Sequence, residues 1–296
     1  MHEQNETISD NQNPSTLRRV VRTLRWVLIV LLFALLVVRM SGIAEQLAYW
    51  PSRNLIVTPA AYEDVWITTP DGVKLHAWFM PANGIAEGQV APAILHAHGN
   101  AGNLADHDTF SDFLTEAGFH VFLFDYRCYG RSDETGSINR EKLVVDTQAA
   151  LNALFNHPRV DISRIGVLGV SLGGPFALEA TANEPRVSAI ATLSTFSSWQ
   201  AIASDASPIG PLLLRPGVDP IESIKRLNNQ PYLIMHGQDD GVIDPRHADI
   251  LIKSATKANL PVKLKVYPGD HNSLVQSNAQ ARQDLIAFFR KHLLSD

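Results

Sequence analysis

Cysteine is almost absent: Cys128 is the only one in 296 residues, which excludes an intrachain disulfide framework and a thiolate-rich metal site. The body of the chain also lacks any lysine or arginine cluster. With a formal net charge of −5 and a pI near 6.1, nucleic acid is excluded as an expected partner. No internal repeat occurs, so a solenoid or propeller is not expected. What remains is ordinary in balance, 45% hydrophobic and 19% charged. Behind the N-terminal segment about 250 residues are left, enough for one large domain with a buried core.

The N-terminus has its own character. Residues 1–17 are polar, show no hydrophobic face and are expected to be disordered. Arg18, Arg19, Arg22 and Arg25 follow, then the uncharged run WVLIVLLFALLVV at residues 26–38, closed by Arg39. No polar face interrupts that run, which argues against a helix of the globular core. As a helix the run spans about 20 Å, at ~1.5 Å per residue, against a hydrocarbon core of about 30 Å. Snorkelling by Arg25 and Arg39 closes the difference. Gly42-Ile43-Ala44 loosely resembles a signal-peptidase site, but the stretch before the apolar run is long and Arg39 directly follows it. We therefore expect an uncleaved signal anchor over 18–43. Four arginines before the run predict a cytoplasmic N-terminus and a body on the far side of the membrane. Residues 44–62 are expected to be a juxtamembrane linker.

From residue 63 onward, strand-like and helix-like segments alternate. Residues 65–68 and 75–80 flank Pro70-Asp71-Gly72 and predict an antiparallel hairpin. Strand-like segments at 93–97, 120–125, 164–170, 189–193, 232–236 and 262–267, most of them apolar runs, predict further strands. Helical spacing or position predicts helices over 106–116, 140–155, 173–182, 247–258 and 279–294. Continuous apolar strands separated by helices imply an α/β domain over 63–296, with a mostly parallel sheet covered on both faces. Residues 196–220 break the rhythm with Pro208, Pro211 and Pro216 among apolar side chains. They predict a small lid over the carboxyl ends of the strands, with Phe196, Trp199 and Leu212 against the substrate.

The chemistry sits in the loops. GVLGVSLGG (166–174) places Ser171 between an apolar strand and a helix, with glycine two residues away on each side, the context of a nucleophile elbow. A hydroxyl there needs a base, an orienting acid and oxyanion donors. HGQDDGVID (236–244) puts Asp239 and Asp240 beyond one strand, and YPGDHN (267–272) puts His271 beyond the next. The chain order Ser…Asp…His differs from those of chymotrypsin and subtilisin. HGNAGN (98–103) supplies a small-residue loop whose amides can turn toward the serine. His96 and His98 lie two apart without a nearby third ligand, which argues against a metal site. Asp244, before Pro245, reads as a helix cap. His247 and His292 fall on predicted helices and are expected at the surface. Asp125 and Arg127 read as structural, and Cys128 as packing.

HAHGNAGN, DYRCYGRS, GVSLGG, HGQDD and GDHN, in this order, resemble the α/β-hydrolase superfamily and within it the membrane-anchored branch of α/β-hydrolase-domain-containing proteins. The resemblance spans residues 65–294. It implies Ser171 as nucleophile, His271 as base, and Asp240, at G-x-x-D spacing from Gly237, as the acid. It further implies oxyanion donors in the backbone of Asn100 and Leu172. One departure stands out, since the branch usually carries glycine where this chain has Cys128. The expectation is a serine hydrolase needing no cofactor or metal. It acts first on an ester or thioester of a small or lipid-like acyl group and second on a peptide. A membrane-tethered binding protein on a hydrolase scaffold is the non-enzymatic alternative, opposed by the intact Ser, Asp and His.

Overall fold

The computed structural model describes residues 14–86, 88–215 and 217–294. Its centre is an eight-stranded sheet of β1 (Glu63–Thr68), β2 (Lys74–Met80), β3 (Ala91–Ala97), β4 (His120–Phe124), β5 (Val160–Val170), β6 (Val187–Leu193), β7 (Tyr232–Gly237) and β8 (Val262–Tyr267). The spatial order is β1-β2-β4-β3-β5-β6-β7-β8. Only the β1–β2 and β2–β4 pairs are antiparallel; from β4 to β8 every pairing is parallel. The predicted hairpin turns at Gly72, whose φ of 84° lies in the left-handed region that favours glycine.

The helices are α1 (Pro14–Ser41), α2 (Ile43–Gln46), α3 (Leu104–His107), α4 (Phe113–Glu116), α5 (Arg140–Phe155), α6 (Gly173–Ala182), α7 (Trp199–Ala206), α8 (Gly210–Leu213), α9 (Pro220–Ile224), α10 (Arg246–Lys257), α11 (Leu274–Ser277) and α12 (Ala279–Leu293). Side-chain caps start several where the sequence supplies them. Asn139 accepts from the Lys142 amide ahead of α5, Ser198 from Ala201 ahead of α7, and Asn278 from Ala281 ahead of α12. Alternate strand residues feed two cores. Leu75, Ala77, Phe79, Leu95 and Val167 join α5 and α6 on one face. Trp78, Met80, Ile94, Leu168 and Val170 join α12 on the other. Gly166 lets α12 close on β5, because a Cβ there would meet the Phe289 ring at 2.7 Å.

Two expectations are corrected. The helix expected over 106–116 is broken into α3, a 3₁₀ turn at Asp108–Phe110 and α4. The Asn103–Asp106 capping box starts α3 two residues early, and Asp112 restarts the chain by accepting from the Phe113 amide. Residues 44–62, expected as a juxtamembrane linker, are mostly exposed but do not run free of the body: Glu45, Tyr49 and Ile56 are buried against it and α2 occupies the first four positions after Gly42. The expected disorder over 1–17 falls mostly outside the described residues, but α1 already begins at Pro14. The anchor expected over 18–43 corresponds to the rest of α1, which ends at Ser41. Its segment Arg18–Ser41 is long and apolar enough to cross a membrane, reaching a mean hydropathy of 2.3 over 18 residues, and none of it is buried. Gly42, at φ 71°, turns the chain into α2.

Candidate active site

Parallel register brings the loops to one edge. Ala97 of β3 lies opposite Gly169 of β5, Val170 opposite Leu193 of β6, and Gly237 of β7 opposite Tyr267 of β8. The loops that follow these residues therefore emerge side by side at the carboxyl end of the sheet, where such folds bind ligands.

Ser171 occupies the step from β5 to α6 with φ at 51°, a left-handed conformation that strains a residue bearing Cβ. Three hydrogen bonds hold it there. Its amide donates to Leu193 O (2.8 Å), and its carbonyl accepts from Gly174 N (3.0 Å) and Thr195 Oγ1 (2.8 Å). The flanking glycines let backbones touch. A Cβ on Gly173 would lie 1.9 Å from Ala97 O, and one on Gly169 would lie 2.7 Å from Gly174 Cα.

The structure brings Ser171, His271 and Asp240 into line: Ser171 Oγ is 2.9 Å from His271 Nε2, and His271 Nδ1 is 2.8 Å from Asp240 Oδ2. Asp240 is buried, and its Oδ1 accepts from the amides of Val242 (2.9 Å) and Ile243 (2.8 Å). His236 Nε2 approaches Oδ2 to 3.3 Å. Burial pushes this carboxyl upward, but hydrogen bonds from His236, His271 and Ile243 outweigh it and hold Asp240 well below the usual carboxylate range. Asp239 is exposed and, among the described residues, its carboxylate accepts only from the Gly269 amide. With Asp240 ionised, Nδ1–H of His271 donates to it and Nε2 is free to accept the Ser171 proton.

Asn100 and Leu172 border a cavity that Ser171 and Asp240 also line. Among the described residues neither backbone amide has an intramolecular partner, and Leu172 caps the N-terminus of α6, where the helix dipole favours negative charge. The Asn100 side chain is bound on three sides. Its Oδ1 accepts from Trp50 N (3.0 Å) and Tyr129 OH (2.9 Å), and its Nδ2 donates to Ala48 O (2.7 Å).

The cavity beside Ser171 holds about 1200 Å³. Phe196 and Trp199, the residues expected against the substrate, border it with their rings 4.8 Å apart. Leu212 does not and is corrected: it is 50% exposed and its carbonyl accepts from Arg39. Its neighbours Leu213 and Leu214 line the cavity instead, since one helical step of about 100° turns a side chain to another face. His247 is also corrected, being buried rather than at the surface. It shares the inner face of α10 with Leu251 and Ala255 and ties α7 to the body, with Nδ1 2.8 Å from Ser197 Oγ and Nε2 2.8 Å from Asp205 Oδ2. His292 is half-buried against Phe288. His96 and His98 are buried and engaged through Nδ1 with Ser111 and the Gly99 carbonyl.

Asp125 accepts from the Leu104 amide, and Arg127 chelates Asp146 and Asp71, so both brace loops beneath the site. Cys128 sits at φ 70°, the conformation for which glycine is the unstrained choice, with Sγ 3.6 Å from Thr135 Oγ1.

Sequence reasoning missed the wall built from the N-terminal side. Ala44, Glu45, Ala48 and Trp50 line the cavity. Glu45 is 2% exposed and pairs with buried Arg140 at 3.1 Å; Tyr49 donates to it as well. Burial raises the Glu45 carboxyl, yet the Arg140 contacts prevail and its pKa is lowered. Arg140 in turn stacks over the Trp199 ring at 4.7 Å. One signal was available: Glu45 is the sole carboxylate between Asp10 and Glu63.

Comparison with known proteins agrees with this architecture. The family model described as alpha/beta hydrolase fold matches residues 92–215. The uncharacterized protein YfhR of Escherichia coli is 33% identical over 259 residues, covering 86% of this chain and 88% of the relative. The alpha/beta hydrolase domain-containing protein WAV2 of Arabidopsis thaliana is 33% identical, covering 73% and 76%. Among solved structures, an esterase from Pyrococcus furiosus superposes with a TM-score of 0.68 at 20% identity, over 83% of this chain and 98% of that one.

Proposed function

Because the chain belongs to the α/β-hydrolase superfamily, in the branch of α/β-hydrolase-domain-containing proteins, we propose that it is a serine hydrolase of ester or thioester acyl bonds. The observation that carries this reading is the Asp240–His271–Ser171 relay, with contacts of 2.8 and 2.9 Å. In the reaction, Ser171 Oγ attacks the acyl carbonyl while His271 Nε2 takes its proton. The tetrahedral oxyanion lies against the amides of Asn100 and Leu172, and Asp240 holds the imidazole and balances its charge. Collapse expels the alcohol or thiol, which leaves with the proton from Nε2, and the acyl group stays on Ser171. Water then gives a proton to the same nitrogen as it attacks the acyl carbon. The carboxylic acid departs and Ser171 recovers its proton. The apolar faces of Phe196 and Trp199 favour an acyl chain over a charged group.

The exposed apolar helix Arg18–Ser41 supports a second part of the reading, an uncleaved anchor with a cytoplasmic N-terminus and the body across the membrane. The test of the chemistry uses the full chain in detergent. A fluorophosphonate should label it covalently, and p-nitrophenyl esters should be turned over. Ser171→Ala should abolish both, and labelling that survives this change refutes the nucleophile.

A further inference from the structure

We propose that the mouth of the cavity rests on the bilayer surface, and that the enzyme takes its acyl ester or thioester from the lipid phase through the opening between α2 and α8. The inference rests on the hydrolase and anchor readings above and goes beyond both. It names where the substrate resides and which surface admits it.

Chain geometry supplies the first argument. The exposed apolar face of α1 runs to its last turn, and a single residue, Gly42, separates it from α2. Ala44 and Glu45 already line the cavity. Three residues span at most about 10 Å of extended chain, and a headgroup layer is about 5–8 Å deep on each side of the hydrocarbon. If α1 crosses a membrane, the cavity wall begins in or just above the headgroups. The end of α1 is also held to the other side of the opening. Arg39 donates to the Leu212 carbonyl of α8, and the Arg215 guanidinium closes on Gly42, where an added Cβ would lie 3.0 Å from it.

The second argument is the rim. Ile43, Leu47 and Trp50 on one side and Ile209, Leu212 and Val242 on the other are half to three-quarters exposed. Trp50 and Val242 line the cavity themselves, and the other four adjoin residues that do. Soluble surfaces rarely gather so many large apolar side chains in one place without a partner. Tryptophan and arginine beside a membrane helix are the residues that settle at a lipid–water interface. The cavity, about 1200 Å³, also exceeds the ~300–1,000 Å³ usual for small-molecule sites, which suits a long acyl chain entering from the hydrocarbon.

The test uses the full chain reconstituted in dioleoylphosphatidylcholine vesicles, with 4-methylumbelliferyl oleate dissolved in the bilayer and p-nitrophenyl butyrate in the water. Oleate turnover should follow the mole fraction of ester in the bilayer and fall when empty lipid is added at constant total ester. The double variant Leu47→Glu, Ile209→Glu should lose at least tenfold on the oleate while keeping butyrate turnover within twofold. Brominated phosphatidylcholine should quench tryptophan fluorescence less in Trp50→Phe than in the parent. Equal effects on both substrates, or none on either, overturn the proposal. So does a disulfide-linked dimer formed by Leu47→Cys in the vesicles, because the rim would then face a second copy. Absence of butyrate turnover in the parent chain refutes the hydrolase reading itself. Intact butyrate turnover without bilayer dependence refutes lipid delivery alone.

Discussion

Asp240 and Asp239 are adjacent in sequence and differ in almost everything else. One is buried, takes two backbone amides and a histidine, and stays ionised; the other stands in water. Asp240→Asn should therefore lower kcat by about 10⁴, the cost of leaving the histidine in the wrong tautomer, whereas Asp239→Asn should change it less than threefold. Steady-state rates on p-nitrophenyl butyrate decide the matter, and the reverse order would move the acid by one residue. A second prediction concerns space rather than charge. A methyl group on Gly173 would sit 1.9 Å from the Ala97 carbonyl, so Gly173→Ala should separate β3 from α6 and abolish fluorophosphonate labelling although Ser171 is intact. The positions of Ser171, Asp240 and His271 were legible because backbone contacts demand glycine around the serine, and because Asp240 follows the apolar strand β7 and His271 the next strand, β8. Leu212 and His247 were not. Their placement depends on which face a short or amphipathic helix turns inward, and a one-residue step reverses that.

At the scale of elements, the segment between α1 and β1 has the largest consequence. Its residues reach across the sheet edge. Ala48 and Trp50 clamp Asn100, Ser52 pairs with Gly102 and Gly130, and Glu45 neutralises Arg140. A chain starting at residue 43 should keep its turnover. One starting at residue 53 should lose most of it, because the loop carrying the Asn100 amide is no longer held. Glu45→Ala should destabilise the fold by about 3–5 kcal/mol, the usual cost of stranding one member of a buried ion pair. The double change Glu45→Met, Arg140→Met should recover much of that loss in thermal denaturation. This segment was illegible in sequence because it has no periodicity and its partners lie tens of residues downstream. The eight strands, by contrast, were all legible. The inner ones, such as β3, β4 and β7, carry apolar runs that a sheet buried on both faces satisfies. The edge strands β1 and β8 are half-exposed, β1 marked by its hairpin turn and β8 by alternation of lysine with apolar residues.

For the whole molecule, the histidines set a direction of pH dependence. Burial holds His98 well below its ordinary value, pushes His96 down to about 3, and takes His120 to about 4 with help from Arg159 and His157. Each is neutral in the fold and gains a proton near pH 6.5 once unfolded. Their contribution is thus fully present above pH 6.5 and drains away as the pH falls toward 4, at about 1.4 kcal/mol per pKa unit. Asp219 acts in the opposite sense over part of this range. Burial raises it to about 6, so its contribution is lost as pH rises from 3.8. His107, His157, His247 and His292 are held below their ordinary value as well. Seven lowered histidines against four raised carboxyls, Asp108, Asp125, Asp146 and Asp219, make acid the destabilising direction. The melting temperature should fall steeply between pH 6.5 and 4.5; a flat profile there would mean that these rings are protonated in the folded state.

The buried pair of Glu45 and Arg140 joins residues 95 positions apart, and Ser171 meets His271 across 100. A ribosome delivers these partners in strict order. α1 and Glu45 come first, Ser171 past the middle of the chain, and His271 only in its last tenth. Long-range contacts of this kind form late in folding, so on the proposed reading of α1 and Ser171 a growing polypeptide held at the membrane remains chemically silent until translation is nearly over. Stalled chains ending before residue 271 should resist fluorophosphonate even though Ser171 has long since emerged, because the proposed nucleophile has no base until synthesis is nearly complete.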